Sequence, residues 1–407
     1  MPAQLPTGDP APADGRLPDP AQDRVGDRPL GIYVHVPFCA ARCGYCDFNT
    51  YTPREAGGGD ATEAYVRAAI AETRLAAQVL GERRPPARTV HVGGGTPTLL
   101  SPAQLGRILD AVRDEIGVAA DAEITVEANP ESVEAASLAA LREAGVDRIS
   151  LGMQSAAPHV LATLDRAHTP GRAEAAAREA RAAGFTVVGL DLILGTPGET
   201  DEDWARTVDA ALATGPDRLS VYALTVEPGT ALAARVRRGA VPAPDPDAAA
   251  RRYEHADAAL AAAGLHWYEV ANWSTGPATR STHNHGYWMG DDWWGIGPGA
   301  HSHVAGVRWW NVLRPASHAR ALAEGRSPAA GREVLDEETR RVERVMLELR
   351  LVEGLPASVL RPAGRAAAER AAAAGLLDGR ALRERDRCVL TLSGRLVADA
   401  LTRDLVD

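Results

Sequence analysis

The sequence predicts an α/β protein in which a partial (β/α)6 TIM-type barrel precedes a smaller helix-rich C-terminal domain. Two observations support this prediction. Six short β-rich runs alternate with Ala-rich helical stretches at a spacing of roughly 30 to 40 residues, as expected for parallel strands with helices outside. The residues with unusual chemistry follow the strands, which favours a part-barrel with its site at the strands' carboxyl ends over a flat sheet.

The predicted elements follow from short apolar runs and from helix-start signals. Ser101-Pro102 and Thr200-Asp201 each resemble the start of a helix. The predicted strands are 31–38, 89–94, 123–129, 148–154, 185–195 and 218–226. The helices predicted between them are 62–80, 102–116, 132–144 and 201–213.

Composition divides the chain into four segments. Residues 1–28 hold repeated Pro, Asp and Gly with few large apolar side chains, so we expect a disordered leader. The part-barrel is expected at 29–230. A barrel-closing segment follows at 231–334, with a helical stretch to about residue 262. From 335 to 407 the pattern indicates a small helix-rich domain that ends in a short hairpin.

Composition also excludes several classes of protein. The 407 residues carry 44 basic and 54 acidic side chains, a net charge of −10, which disfavours nucleic-acid binding. All the basic residues are arginine, so the lysine of a pyridoxal enzyme or of a P-loop is absent. No apolar stretch approaches the ~18 residues that span a bilayer, and the sequence lacks a signal-peptide pattern. We therefore expect a cytoplasmic protein.

Three of the four cysteines lie within eight positions, directly after the first predicted strand. Cys39, Cys43 and Cys46 form a CxxxCxxC loop, too compact for a disulfide framework and typical of a metal site in a reducing compartment. An iron–sulfur cluster held by three thiolates leaves one iron open for another ligand. Structural zinc, with a fourth ligand such as His35, and unligated thiols are the alternatives. The spacing favours the cluster.

The CxxxCxxC loop, with Tyr45 before its third cysteine, resembles that of the radical S-adenosylmethionine (SAM) superfamily. The resemblance implies a [4Fe-4S] cluster whose open iron chelates the amino and carboxylate groups of SAM. In that family an electron from the cluster cleaves SAM to a 5′-deoxyadenosyl radical. The cofactor then supplies the difficult chemistry, and the protein positions it.

Residues at the ends of the later strands resemble further SAM ligands of this superfamily. By itself each could be a turn glycine, a helix cap or a solvated charge. The resemblance implies contacts with the amino group, ribose and carboxylate of SAM from Gly94, Gly95, Thr96, Glu127, Gln154, Arg166 and Asp191. Tyr33, Tyr45 and Ala223 match other positions that line the cofactor.

Over residues 30–400 the chain resembles the coproporphyrinogen III oxidase-like group of this superfamily. The decarboxylating branch carries CxxxCxxCxC, but Phe48 stands where its fourth cysteine would be. This difference resembles the HemW branch of heme chaperones. The resemblance implies a heme chaperone that delivers heme to a hemoprotein. Oxidative decarboxylation of coproporphyrinogen III is the alternative.

The segment His283-Asn284-His285-Gly286-Tyr287-Trp288 resembles the HNxxYW signature of HemW-type proteins. Seven of the eight tryptophans lie between His266 and Trp310, and flat aromatic surface suits a macrocycle. Histidine is a standard axial ligand of heme iron, so the resemblance implies heme ligation by His283. A packed or hydrogen-bonded histidine is the alternative. His285, His301 and His303 are weaker candidates.

Other features have plainer interpretations. Val345 and Leu349 belong to an amphipathic core face in the C-terminal segment, and Cys388 is expected to be a buried small hydrophobe. Asp291 and Asp292 are expected to be solvated, and no residue is singled out as a catalytic acid or base. The family resemblance further implies a recipient such as a membrane respiratory enzyme, transient membrane contact and a homodimer.

Overall fold

The computed structural model describes residues 5–58, 60–166 and 168–406. One mixed sheet of twelve strands and one small two-stranded sheet organise these residues. The strands are β1 (Leu30–Val36), β2 (Ala87–Gly94), β3 (Val118–Ala128), β4 (Arg148–Gln154), β5 (Val187–Leu194), β6 (Arg218–Ala223), β7 (His266–Glu269), β8 (Asn272–Ser274), β9 (Asp292–Ile296), β10 (His301–Val304), β11 (Val307–Asn311), β12 (Ala329–Val334), β13 (Leu355–Pro356) and β14 (Arg387–Cys388).

Helices connect most of these strands. They are α1 (Asp19–Gln22), α2 (Ala61–Leu80), α3 (Pro102–Glu115), α4 (Ala135–Glu143), α5 (Pro158–Thr163), α6 (Arg172–Ala182), α7 (Asp201–Leu212), α8 (Ala231–Arg237), α9 (Pro246–Ala262), α10 (Thr282–Met289), α11 (Pro315–Ala323), α12 (Glu337–Glu348), α13 (Pro362–Ala373), α14 (Gly379–Arg385), α15 (Leu392–Leu396) and α16 (Ala398–Val406). Ser101 and Thr200 cap α3 and α7 through their hydroxyl groups, as the sequence predicts.

The first six strands, β1 to β6, are parallel and adjacent in chain order, which confirms the predicted partial barrel. The barrel does not close on itself. On one side β9 runs parallel to β1 and is followed by the antiparallel strands β10 to β12, and on the other side β6 pairs with antiparallel β8. All six carboxyl ends of the parallel strands therefore meet at one mouth.

Side chains alternate between two environments along the barrel strands. On β1, Ile32, Val34 and Val36 are completely buried in the core that the strands share with the outer helices. Tyr33 and His35 point to the opposite face, which is the barrel interior. The apolar layer therefore stabilises the sheet against its helices, and the interior is left to polar side chains.

A separate apolar core forms beyond the barrel. Val345, Leu349, Leu355 and Leu401 cluster there with Cys388, which is buried as the sequence predicts. This core supports the predicted helix-rich C-terminal domain. The predicted terminal hairpin is wrong, because the chain ends in α15 and α16, whose apolar residues recur at helical spacing.

The predicted disordered leader is also wrong over residues 5–28, and residues 1–4 lie outside the described residues. Leu17, Ala21 and Val25, spaced four apart around the short helix α1, are buried in the main core. Three well-spaced apolar side chains are enough to anchor a segment whose composition is otherwise polar. Asp292 corrects another expectation, since it is buried and accepts a hydrogen bond from the backbone N–H of Ala305 at 2.8 Å.

No helix in the described part of the chain is both long enough and apolar enough to cross a membrane.

Candidate metal and cofactor site at the barrel mouth

The three clustered cysteines lie on the loop that leaves the carboxyl end of β1. Backbone hydrogen bonds fix this loop at three points. The N–H of Cys39 donates to the carbonyl of Tyr51 at 3.1 Å, and the N–H of Gly44 donates to that of Leu164 at 2.9 Å. The carbonyl of Gly44 accepts from the N–H of Leu232 at 2.7 Å. The loop is therefore tied to the elements around the barrel mouth.

The thiols of this loop are half-buried and free of disulfides. The hydroxyl of Thr96 lies 3.9 Å from Sγ of Cys39, and Nη1 of Arg166 lies 3.6 Å from Sγ of Cys43. Burial raises the pKa of the Cys39 thiol and raises that of Cys46 to about 11. A positively charged ligand would favour the thiolate forms, with Thr96 and Arg166 stabilising the negative sulfur atoms.

The donor set fits a cluster held by three thiolates better than structural zinc. His35, the fourth ligand considered for zinc, is buried, and both its nitrogens have partners. Nδ1 lies 2.9 Å from the hydroxyl of Tyr33, and Nε2 lies 2.9 Å from the carbonyl of Asn49. Among the described residues, no three His, Cys, Asp or Glu side chains are gathered closely enough to hold an ion.

Glycines at the end of β2 let this strand approach the cysteine loop. A Cβ on Gly95 would lie 2.4 Å from the carbonyl of Phe38 and 3.0 Å from Sγ of Cys39. Gly94 has a φ of 105°, and a Cβ there would meet the His35 ring at 2.7 Å. The N–H of Thr96 then donates to the carbonyl of Phe38 at 2.7 Å. Only glycine permits this approach, so the predicted turn is built for close backbone contact.

Glu127 supplies a negative charge near the end of β3. Its Oε1 lies 3.0 Å from Nε2 of His91, and a Cβ on Gly93 would lie only 2.8 Å from its Oε2. Burial raises the pKa of the Glu127 carboxyl, but the hydrogen bonds from His91 and from the N–H of Gly94 outweigh it and lower the pKa below its usual value. Glu127 is therefore an ionised carboxylate suited to an ammonium group.

Gln154 and Arg166 converge over the glycine that precedes the end of β4. A Cβ on Gly152 would lie 2.7 Å from Nη2 of Arg166 and 2.7 Å from Nε2 of Gln154. Arg166 donates to the carbonyl of Gly152 at 3.1 Å, and its buried Nε has no partner among the described residues. Gln154 has a φ of 63°, a strained backbone that often marks a functional site. These groups have hydrogen-bonding capacity left for a ligand.

The remaining predicted residues complete the rim. Asp191 of β5 accepts a hydrogen bond from the hydroxyl of Ser150 at 3.1 Å, and burial raises its pKa, an effect that Arg218 opposes. Ala223 is exposed at the end of β6, next to Tyr222. Tyr45 packs against a small apolar cluster beside the cysteine loop. The mouth thus combines two carboxylates, a guanidinium and open apolar surface.

His283 lies away from this mouth, in α10 beside the amino-terminal half of β2. Its Nδ1 is 2.8 Å from the hydroxyl of Thr89, and its Nε2 is 2.8 Å from the hydroxyl of Tyr287. The ring is 4% exposed and stacks on His91 with centroids 4.9 Å apart. Because both nitrogens are engaged, this geometry disfavours the expected heme ligation and favours the hydrogen-bonded alternative.

The barrel interior has a polar lining that was not predicted from the sequence. His91 holds Glu127, and Ser150 and Arg218 lie beside Asp191. Nε and Nη1 of the buried Arg218 have no partner among the described residues. The sequence does contain a pattern that indicates this lining. Polar and apolar residues alternate strictly within the strands, as in Thr89-Val90-His91-Val92. Inward-facing polar residues can be identified from that alternation.

Comparison with known proteins agrees with this fold. Residues 33–211 match the radical SAM superfamily. The solved structure of coproporphyrinogen III oxidase (HemN) from Escherichia coli has a similar fold, with a TM-score of 0.80 and 24% sequence identity over 95% of this chain and 92% of that chain. Residues 33–211 of the chain therefore form a radical SAM domain.

Two curated relatives define its family within that class. The heme chaperone HemW of Mycobacterium tuberculosis H37Rv is 53% identical over 96% of this chain and 97% of its own length. The heme chaperone HemW of Escherichia coli K12 is 36% identical over 81% of this chain and 84% of its own length. The chain belongs to the HemW family, which confirms the resemblance seen in its sequence.

Proposed function

We propose that this chain is a heme chaperone, which binds heme and transfers it to a hemoprotein while a [4Fe-4S] cluster and SAM occupy the barrel mouth. One observation carries the proposal: 53% identity to a curated heme chaperone over nearly the whole length of both proteins. The half-buried thiols and the charged rim of the mouth support the two cofactors.

In this proposal Cys39, Cys43 and Cys46 hold the cluster as thiolates. When bound, the cluster supplies single-electron reduction of a ligand on its open iron. Arg166 and Thr96, placed within 4 Å of two of the sulfur atoms, lower the cost of the negative charge there. The loop's backbone hydrogen bonds limit how far the thiols move when they close on the cluster.

The rim residues would recognise SAM by charge and hydrogen bonding. The ionised Glu127 would accept from the ammonium group, and the Arg166 guanidinium would donate to the carboxylate. Asp191 and Gln154 are suited to the ribose hydroxyls, since each presents an acceptor near the strand ends. The exposed Tyr222, 44% accessible at the end of β6, offers an apolar surface beside them.

Phe48 supports heme delivery over oxidative decarboxylation. The decarboxylating branch places a fourth cysteine there, but this chain presents an aromatic ring that is 56% exposed. No fourth thiol is therefore available on the cysteine loop. The chain is similar to coproporphyrinogen III oxidase in its fold, but it lacks the fourth cysteine at the position of Phe48.

The cellular context belongs to the same proposal. Free thiols on one loop suit a reducing compartment, so we place the protein in the cytoplasm. A membrane respiratory enzyme as recipient, transient membrane contact and a homodimer are proposed from the family resemblance. Sedimentation analysis of the cluster-loaded protein tests the dimer, and co-purification with heme-depleted membranes tests the contact.

One preparation tests the function against its alternative. The chain is reconstituted with iron and sulfide without oxygen, supplied with SAM, and titrated with heme while the Soret band is recorded. A parallel sample is incubated with coproporphyrinogen III and analysed by chromatography. We expect saturable heme binding without protoporphyrinogen formation. Absence of heme binding would overturn the proposal, and protoporphyrinogen formation would favour the decarboxylase.

A further inference from the structure

A second cleft lies at the opposite end of the barrel from the cysteine loop. It is formed by the segment that precedes β1, the end of α10, the turn between β10 and β11, and one face of α12. Its volume is about 250 Å³, and it adjoins a groove of about 560 Å³ that shares Arg24, Arg340 and Arg344 with it. Together the two spaces are large enough for a ligand of drug-like size or larger.

The cleft contains a histidine that is prepared for ligation. His303 of β10 lines it, and Nδ1 of this ring lies 3.3 Å from the backbone carbonyl of Asp291. A proton on Nδ1 donates to that carbonyl, which leaves the lone pair on Nε2. No partner of Nε2 is found in the described parts of the chain. A carbonyl that orients one nitrogen and frees the other is the usual support of a metal-binding histidine.

The charge state of His303 agrees with this role. Burial lowers its pKa to about 4, and the positive charges of Arg308, Arg340 and Arg28 add to the effect. The hydrogen bond to the backbone of Asp291 acts in the opposite direction without reversing the shift. The imidazole is therefore neutral at pH 7, the form that binds a metal.

Flat apolar side chains adjoin this histidine. The ring of Trp293 lies 5.1 Å from that of His303, centroid to centroid, with the planes inclined by 35°. Trp288 and Met289, at the end of α10, line the same cleft. Aromatic and thioether groups beside a neutral imidazole suit a large planar ligand that contains a metal.

Four arginines and four carboxylates line the cleft, and two of these arginines have no carboxylate partner among the described residues. Glu343 is paired with Arg308, and Glu348 is paired with Arg344. Asp27 lies 3.9 Å from Arg83, which is outside the cleft. Arg24 and Arg340 form no ion pair with any described residue, since they contact backbone carbonyls instead. These two guanidinium groups remain able to bind carboxylates of a ligand.

We infer that this cleft is the cargo site for heme, with Nε2 of His303 as a ligand of the iron, Trp288 against the macrocycle, and Arg24 and Arg340 on the propionates. The inference rests on the proposed function and specifies where the cargo binds. It also separates the cargo from the cluster, since the cleft and the cysteine loop are at opposite ends of the barrel.

Heme titration of the cluster-loaded full-length protein tests this site. We expect His303→Ala to weaken heme binding at least about tenfold and to change the visible spectrum of the iron. Added imidazole should restore part of the wild-type spectrum, because it can occupy the space left by the side chain. A merely structural role of His303 would not produce this rescue.

Two further variants sharpen the test. The double variant Arg24→Ala/Arg340→Ala should weaken binding by about tenfold while the spectrum of bound heme stays as in the wild type. His266→Ala, which removes an exposed histidine on β7 outside both sites, serves as the matched control and should bind heme normally.

The outcomes separate the two proposals. If the wild type binds heme and His303→Ala binds it with the same affinity and spectrum, the cargo site is wrong while the heme-chaperone function stands. The same conclusion follows if His283→Ala alone abolishes the iron ligation. If the wild type binds no heme, both proposals are overturned.

Discussion

Glu72 and His318 form a buried pair, in which Oε2 of Glu72 lies 2.7 Å from Nε2 of His318 and each side chain is 1% exposed. The same carboxylate accepts from the N–H of Gly297 at 2.7 Å and from the side-chain amide of Asn311 at 2.6 Å. It therefore joins α2, α11 and the turn that follows β9. Asn49, on the cysteine side of this turn, donates to the carbonyl of Pro298 at 2.9 Å.

We predict that Glu72→Ala lowers the free energy of unfolding by about 3–5 kcal/mol, because it leaves His318 and two buried donors without their acceptor. Denaturant unfolding monitored by circular dichroism measures the change. Gln78→Ala, an exposed change on the same helix, is the control and should unfold like the wild type. A loss below about 1 kcal/mol for Glu72→Ala would contradict the importance of this network.

Removal of single cysteines tests the assignment of the metal ligands. Cys39→Ala, Cys43→Ala and Cys46→Ala should each retain a small fraction of the iron that the wild type binds after anaerobic reconstitution, because a cluster with two protein thiolates is poorly held. Cys388→Ala is the control, since that thiol is buried in the C-terminal core. Equal iron content in all four variants would refute the assignment.

A methyl group at Gly95 tests the close approach of β2 to the cysteine loop. Gly95→Ala should destabilise the fold by about 1–3 kcal/mol and reduce iron binding, because its Cβ would displace the Phe38 carbonyl and the Cys39 thiol. Gly276→Ala is the control, as a Cβ there meets nothing within 4 Å. Thermal unfolding and iron analysis give the two readouts. If Gly95→Ala unfolds and binds iron like the wild type, the close approach of β2 to the cysteine loop is not required for either property.

Buried Glu269, at the end of β7, predicts a pH-dependent stability. Burial raises the pKa of its carboxyl to about 8, against a usual value of 4.5, and the hydrogen bond from Asn272 offsets only part of this effect. Between these two values the unfolded chain has released a proton that the folded chain retains. The contribution of Glu269 is therefore fully present below pH 4.5 and is lost as the pH rises to about 8.

Glu269→Gln removes this titration. The unfolding free energy of the variant minus that of the wild type should be larger at pH 8 than at pH 5, by at least about 1 kcal/mol. One unit of pKa shift corresponds to about 1.4 kcal/mol. Unfolding free energies measured at the two pH values give the difference. Glu254→Gln, an exposed change on α9, should show none. If Glu269→Gln and the wild type differ in unfolding free energy by the same amount at pH 5 and pH 8, the prediction is wrong.

The sequence predicts the barrel well because its signals are local. The six strands, the outer helices and the caps at Ser101 and Thr200 each depend on short patterns of apolar residues or on one hydroxyl. The order of the parallel strands then follows from the alternation of strands and helices. The register of the strands and the way the barrel ends at its two sides cannot be predicted in this way, because they depend on contacts between distant segments such as β9 and β1.

The same limit explains where the structure departs from what the sequence led us to expect. Composition marked the leader as disordered, but Leu17, Ala21 and Val25 gain their order by burial against distant parts of the chain. Sequence similarity identified His283 as important, and it carries no information about whether Thr89 and Tyr287 engage both ring nitrogens. Which histidine is free to bind a metal is a question of tertiary geometry.

The most direct test of the account is the transfer of heme. The cluster-loaded protein is saturated with heme in the presence of SAM, separated from excess heme, and mixed with apomyoglobin as the acceptor. We predict that the absorption of the protein's own heme complex is replaced by the spectrum of myoglobin with one heme transferred per chain. A protein that takes up no heme, or holds it without any transfer to the acceptor, would contradict the function proposed here.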